Sequence, residues 1–273
     1  MIETALQSFQ FPFMQNAFLI ALLVAPPCAL LSCFLVLKGW ALMGDAVSHA
    51  VLPGIVLAYL AGLPLLLGAF LAGLTSALLT GWIAENSRVK RDTVMGVVFS
   101  AMFALGIVLI TAFPTDLHLD HILFGNMLGV GAGDLATAGL IAGPVTLILA
   151  LKWRDLMLHS FDPAQAQVSG LLTGLLHYGL LVLLALTIVA TLSSVGLILA
   201  IGLLIAPGAI GFLLCRSFGW MLVTATFACL LAMVLGIWTS FHLDSAPAPT
   251  IILVLTAMVV LALLRRVRHT RAA

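Results

Sequence analysis

From Thr4 to Leu37 the chain carries no charged side chain, and apolar runs of similar character recur to its C-terminal end. A helix needs about 20 apolar residues to cross the roughly 30 Å hydrocarbon layer of a bilayer. Read between charges and Pro/Gly clusters, such runs fall at 16–37, 41–61, 64–84, 93–113, 134–151, 171–192, 196–215, 220–240 and 250–264. The expected fold is therefore all-α, a polytopic integral membrane protein with eight or nine transmembrane helices. The short last run and the junction at Ser193 set that range. One transmembrane domain is expected to occupy 1–273, since 63% of residues are hydrophobic and only 8% charged, against about a quarter charged in a soluble domain. The net charge of +1 argues against nucleic acid or another polyanion as partner.

The opening MIETALQSFQFPFMQNAF has Glu3 but no Lys or Arg before Lys38. It thus lacks the basic stretch of a secretory signal peptide and reads as an interfacial lead-in to an uncleaved first helix. All eleven basic residues fall at Lys38, Arg88–Arg91, Lys152–Arg154, Arg216 and Arg265–Arg271. With nine helices these are alternate connections, which the positive-inside rule places in the cytoplasm, with the N-terminus outside and the C-terminus inside. The opposite connections, PTDLHLDH (114–121) and FHLDSAPAP (241–249), hold Asp and His without Lys or Arg. Trp40, Trp82, Trp153 and Trp220 near the inner boundary and Trp238 near the outer one read as interfacial anchors.

Several chemistries are excluded. Cys28, Cys33, Cys215 and Cys229 lie inside apolar runs without CxxC spacing, so they read as buried thiols rather than a disulfide or zinc framework. The three lysines are followed by Gly39, Arg91 and Trp153, so none belongs to a phosphate-binding Gly-Lys-Ser/Thr loop. The chain is not expected to be an enzyme or to hold a resident cofactor, and any ATP that drives it is bound by another subunit.

Of the ten acidic residues only Asp45 lies well inside a span. An ionisable group at that depth costs a few kcal/mol or more and marks function by default. Asp45, Ser48 and His49 stand at i, i+3 and i+4, on one face of a helix. Counting about 1.5 Å per residue from Gly39 places Asp45 and His49 roughly 9 and 15 Å deep, where transporters hold substrates. Pro53 lacks the N–H that would bond the His49 carbonyl, which leaves an acceptor beside those side chains. His177, near a helix end, is a lesser candidate. A carboxylate with an imidazole suits Mn(II), Fe(II) or Zn(II), and two such subunits on a two-fold axis would supply four ligands. The alternatives are a proton relay and a purely structural pair in which Asp45 and His49 bond each other and pin two helices. A hydrolase triad is excluded, because three groups on one helical face do not give its alignment.

On the cytoplasmic side, Asp162-Pro163 is a strong helix start and Gly170 a stop, predicting a short helix over Pro163–Ser169 as either a loop helix or a docking element. LFGNMLGVGAGD (123–134) is too short to cross and reads as a re-entrant or interfacial segment. Gly196, Gly202, Pro207, Gly208 and Gly211 permit close packing or a hinge.

Taken together, GDAVSHAVLPG (44–54), RDTVMGVVFSAMFALG (91–106), LDHILFGNMLGV (119–130), FDPAQAQVSG (161–170) and VGLILAIGLLIAPGAIGFLL (195–214) resemble, in order and spacing, the membrane permeases of the metal-ion ABC importers. The resemblance runs from about Met14 to Arg265 and implies a bacterial inner-membrane permease that carries manganese, iron(II) or zinc inward. It further implies a second, identical or paralogous permease, two cytoplasmic ATPases and an extracytoplasmic metal-binding protein. It assigns Asp45 and His49 as intramembrane metal ligands, and Phe161, Asp162, Pro163, Ala164, Ala166 and Gly170 to ATPase docking. The stretch LKGWALMGDAVSHAVLPGIVLAYLAGLP looks closer to the manganese/iron permeases than to the zinc ones. One departure is SAPAPT (245–250), where Ala248 and Pro249 follow the small pair and the family often has glycine.

Overall fold

A computed structural model describes residues 11–113, 125 and 127–272. The lead-in 1–10 and the outer stretch 114–121 thus lie outside the described residues, as does most of 123–126. The helices are α1 (Pro12–Lys38), α2 (Ala41–Ala50), α3 (Leu52–Leu60), α4 (Leu65–Asn86) and α5 (Arg91–Ala112), then a 3-10 turn at Met127–Gly129, followed by α6 (Ala132–Phe161), α7 (Pro163–Val168), α8 (Thr173–Val195), α9 (Leu197–Leu214), α10 (Phe218–Leu243) and α11 (Pro247–Ala272). Among the described residues there is no strand. With α2 and α3 counted as one span, nine helices among the described residues are long and apolar enough to cross a membrane.

Helix α1 forms the axis of the bundle. Its side chains are buried almost all round from Val24 to Leu35, its first half leaves one face open at Leu19 and Leu22, and it packs against α6, α9 and α10. A helix apolar on every side belongs in such a position. It ends at Gly39, whose φ of 68° is in the left-handed region, with the Trp40 N–H returned to the Leu35 carbonyl at 2.7 Å, the closure a C-terminal glycine permits. The chain re-enters at once as α2, which packs against α5, α9 and α4, and α3 then crosses α4. That crossing is close because Gly54 and Gly68 face each other: a Cβ on either would overlap the other's carbonyl oxygen. Small residues at facing positions are how helices approach where no hydrophobic effect drives them together.

Two features differ from the sequence reading, and a third chooses between its alternatives. The run expected to end at 151 continues as helix to Phe161, because Lys152, Arg154 and Asp155 do not stop a helix and Lys152 pairs with Asp155 at 3.3 Å one turn on. It stops only at Asp162, whose φ of −142° and ψ of 92° are the extended values imposed on a residue before proline. Trp40, expected in the interfacial belt, is buried against the His177 ring, whereas Trp82 and Trp220 are exposed as anchors should be. Of the glycines in 195–214, Gly208 meets the backbone of Ser32 and Cys33 and Gly211 that of Met221, which is close packing, and Gly196 turns the chain from α8 into α9 at φ 81°.

Candidate functional site

Helix α2 follows directly on Trp40 and carries ALMGDAVSHA. Asp45 and His49 stand one turn apart, with His49 Nε2 3.3 Å from Asp45 Oδ1. Their side chains are 38% and 23% exposed respectively, so the pair opens on the flank of the bundle rather than in its sealed core. Both belong to one helix, so their bond does not pin two helices together, as the packing alternative required. Ser48 is fully buried and its hydroxyl has no hydrogen-bond partner among the described residues. It therefore faces the bundle interior, and the expected face of three reduces to a pair. The His49 carbonyl is not left open either, since the Val51 N–H returns to it where the ladder breaks ahead of Pro53.

The surroundings of the pair are apolar and aromatic. The His49 ring lies 5.2 Å from Phe99 and 5.4 Å from Phe103, both on α5. Sequence reasoning missed these two rings, although their spacing at i and i+4 inside RDTVMGVVFSAMFALG already placed them on one helical face. Chemically the pair offers one carboxylate and one imidazole nitrogen, and an ion would displace the bond between them. Among the described residues no group of three His, Cys, Asp or Glu could hold a metal, and the two groups of this pair are fewer than the four ligands a tetrahedral site takes.

His177 keeps different company. It lies in the first turns of α8, 5.5 Å from Trp40 and 6.0 Å from the His159 ring. His159 in turn is 3.2 Å from the Lys38 ammonium. Below this knot α7 forms as the sequence predicts: the Asp162 carboxylate accepts the Gln165 N–H at 2.9 Å, Pro163 opens the helix, and Gly170 turns the chain at φ 79°. Phe161, Asp162, Pro163, Ala164 and Gly170 are exposed, whereas Ala166 is buried against the bundle and presents nothing outward. Val168, Leu172 and Leu175, which the sequence reading did not single out, extend an exposed apolar surface around α7.

A bundle of membrane-length helices around a largely buried one, with a polar pair open on its flank and an exposed apolar helix at one end, is the architecture of a multi-pass membrane protein. Residues 10–266 match the model of the ABC 3 transport family. The chain belongs to that family, and the resemblance read from its motifs is correct. It is 56% identical over 258 residues to the chelated iron transport system membrane protein YfeD of Yersinia pestis, a match spanning 94% of this chain and 87% of that protein. It is 44% identical over 259 residues to the manganese transport system membrane protein MntB of Synechocystis sp., spanning 94% and 84%. Its fold superposes on PsaBC from Streptococcus pneumoniae in complex with Fab, with a TM-score of 0.86 at 35% identity over 96% of this chain and 95% of that one.

Proposed function

We propose that this chain is the membrane-spanning subunit of an ATP-driven importer that carries Mn(II) or Fe(II) across a bacterial inner membrane into the cytoplasm. Two permeases, identical or paralogous, bring their Asp45 and His49 pairs together on a common axis and complete a coordination shell that neither has alone. Cytoplasmic ATPase subunits dock on α7 and the exposed Phe161, and hydrolysis there switches the pair of permeases between outward- and inward-open states. An extracytoplasmic metal-binding protein delivers the ion to the outer face.

The observation that carries this reading is the Asp45–His49 pair, because a carboxylate and an imidazole at membrane depth are costly unless used and their partial exposure leaves them accessible from the flank of the bundle. Manganese and iron are chosen over zinc because the relatives at 56% and 44% identity are named for iron and manganese transport. The test is reconstitution in vesicles with the ATPase and the metal-binding protein, scoring Mn(II), Fe(II) and Zn(II) accumulation with and without ATP. Uptake that requires ATP and disappears in Asp45→Ala and His49→Ala is expected. Uptake that follows a pH gradient without ATP would replace this reading with a proton-coupled transporter.

A further inference from the structure

The two nitrogens of His49 sit in different surroundings. Nε2 is 3.3 Å from Asp45 Oδ1. Nδ1 is shut away from solvent and has no hydrogen-bond partner among the described residues. A histidine that binds metal ordinarily donates its second ring N–H to a carboxylate, carbonyl or water, and that bond fixes the ring and its tautomer. For His49 the neighbours are instead Phe99, at 5.2 Å and 56°, and Phe103, at 5.4 Å and 84°, and these two rings stack on each other at 6.0 Å from successive turns of α5.

We infer that Phe99 and Phe103 are positioning residues of the metal site, which hold the His49 imidazole by contact where a hydrogen bond at Nδ1 would usually hold it. The inference rests on the reading of Asp45 and His49 as the place where the ion passes. A neutral imidazole ligates through its single lone pair. With Nδ1 sealed, Nε2 is the nitrogen an incoming ion reaches, and it reaches it beside the carboxylate. Without the two rings the imidazole loses both of these ring contacts while Nδ1 has no hydrogen bond to replace them, and it rotates more freely among its staggered positions. The ligand is then present but seldom aimed, which raises the concentration of ion needed to fill the site and leaves the later steps alone.

The experiment is Mn(II) uptake against Mn(II) concentration in vesicles holding the complete transporter, with ATPase activity measured in parallel. Phe99→Ala and Phe103→Ala are expected to raise the apparent KM roughly tenfold, the lower end of what removing a partner that orients a metal ligand costs, while the maximal rate and basal ATPase activity stay near wild type. Phe103→Tyr, which keeps the ring, restores the wild-type KM. A merely structural role would lower the maximal rate or the yield of assembled complex at constant KM, and that result overturns the inference. If an alanine variant does not assemble, Phe103→Leu is scored by the same criterion, and an unchanged KM in it is equally fatal. His49→Ala separates the two levels: uptake that survives it overturns the metal-site reading itself, whereas uptake lost in His49→Ala but unmoved in every Phe variant overturns only the positioning role.

Discussion

Two histidines of this bundle, His49 and His159, are both set in protein and both face a charged side chain, yet they are suited to opposite tasks. His49 faces the Asp45 carboxylate at 3.3 Å and is part exposed. His159 is 5% exposed and faces the Lys38 ammonium at 3.2 Å. An ammonium can only donate, so it occupies the His159 Nε2 lone pair, and the same ammonium lies 4.4 Å from the Trp40 ring. A cation brought to His159 would meet a cation already there. One brought to His49 meets an acceptor of opposite charge. The sign of the nearest charge, rather than the presence of histidine, therefore separates the candidate ion site from the structural knot, and His177 falls on the structural side because it shares the knot.

The strongest perturbation gives His49 the neighbour that His159 has. Asp45→Lys places an ammonium one turn from the imidazole and is expected to abolish ATP-dependent Mn(II) uptake, a loss of more than about 100-fold, since it removes one ligand and repels the ion from the other. Retained uptake at even a tenth of the wild-type rate would show that the pair is not on the path. Asp45→Asn is the finer cut, because it keeps the shape and a coordinating oxygen while removing the charge. A rise of roughly tenfold in apparent KM is expected, as for loss of one strong contribution to metal affinity, and an unchanged KM would mean that charge at this position is irrelevant.

Helix α7 follows His159 within four residues. The Asp162 side chain caps that helix through the Gln165 N–H at 2.9 Å. Asp162→Ala removes the cap, and because N-cap loss costs a short helix about 1 kcal/mol, the affinity for the ATPase is expected to fall roughly fivefold with Mn(II) binding unaffected. Titration of purified ATPase onto the permease in detergent checks this, and undiminished affinity would remove α7 from the docking surface.

Most of the fold was legible because membrane depth leaves few options: spans follow from charge-free runs, and α7 from Asp162, Pro163 and Gly170. What escaped was set by neighbours distant in sequence. Nothing local told that the basic stretch Lys152–Arg154 continues a helix, because helix formation there costs no more than a loop would, and only Pro163 enforces a stop. Trp40 reads as an interfacial anchor until α8 brings His177 against it. At the site, the pair itself was visible from its spacing, but the inward turn of Ser48 depended on how α2 is rotated against α4 and α9. The spacing of Phe99 and Phe103 put them on one face of α5, but that this face meets His49 depended on how α5 packs against α2. The Lys38–His159 bond joins residues 121 apart in the chain.

That last bond supplies the smallest expected effect and the most demanding control. Lys38→Met keeps the long stem and removes only the ammonium. His159 Nε2 then loses its donor in a buried setting, which costs about 1 to 3 kcal/mol, and the contact of the cation with the Trp40 face is lost as well. The variant should therefore unfold a few degrees earlier than wild type, followed by intrinsic tryptophan fluorescence in detergent. Its apparent KM for Mn(II) should stay within about twofold of wild type, because removing a cation from a group that never meets the ion changes nothing the ion feels beyond a screened, distant charge. A KM shift as large as that of Asp45→Asn would mean that the two histidine clusters act on the same ion, and the distinction drawn from the sign of their neighbours would fall.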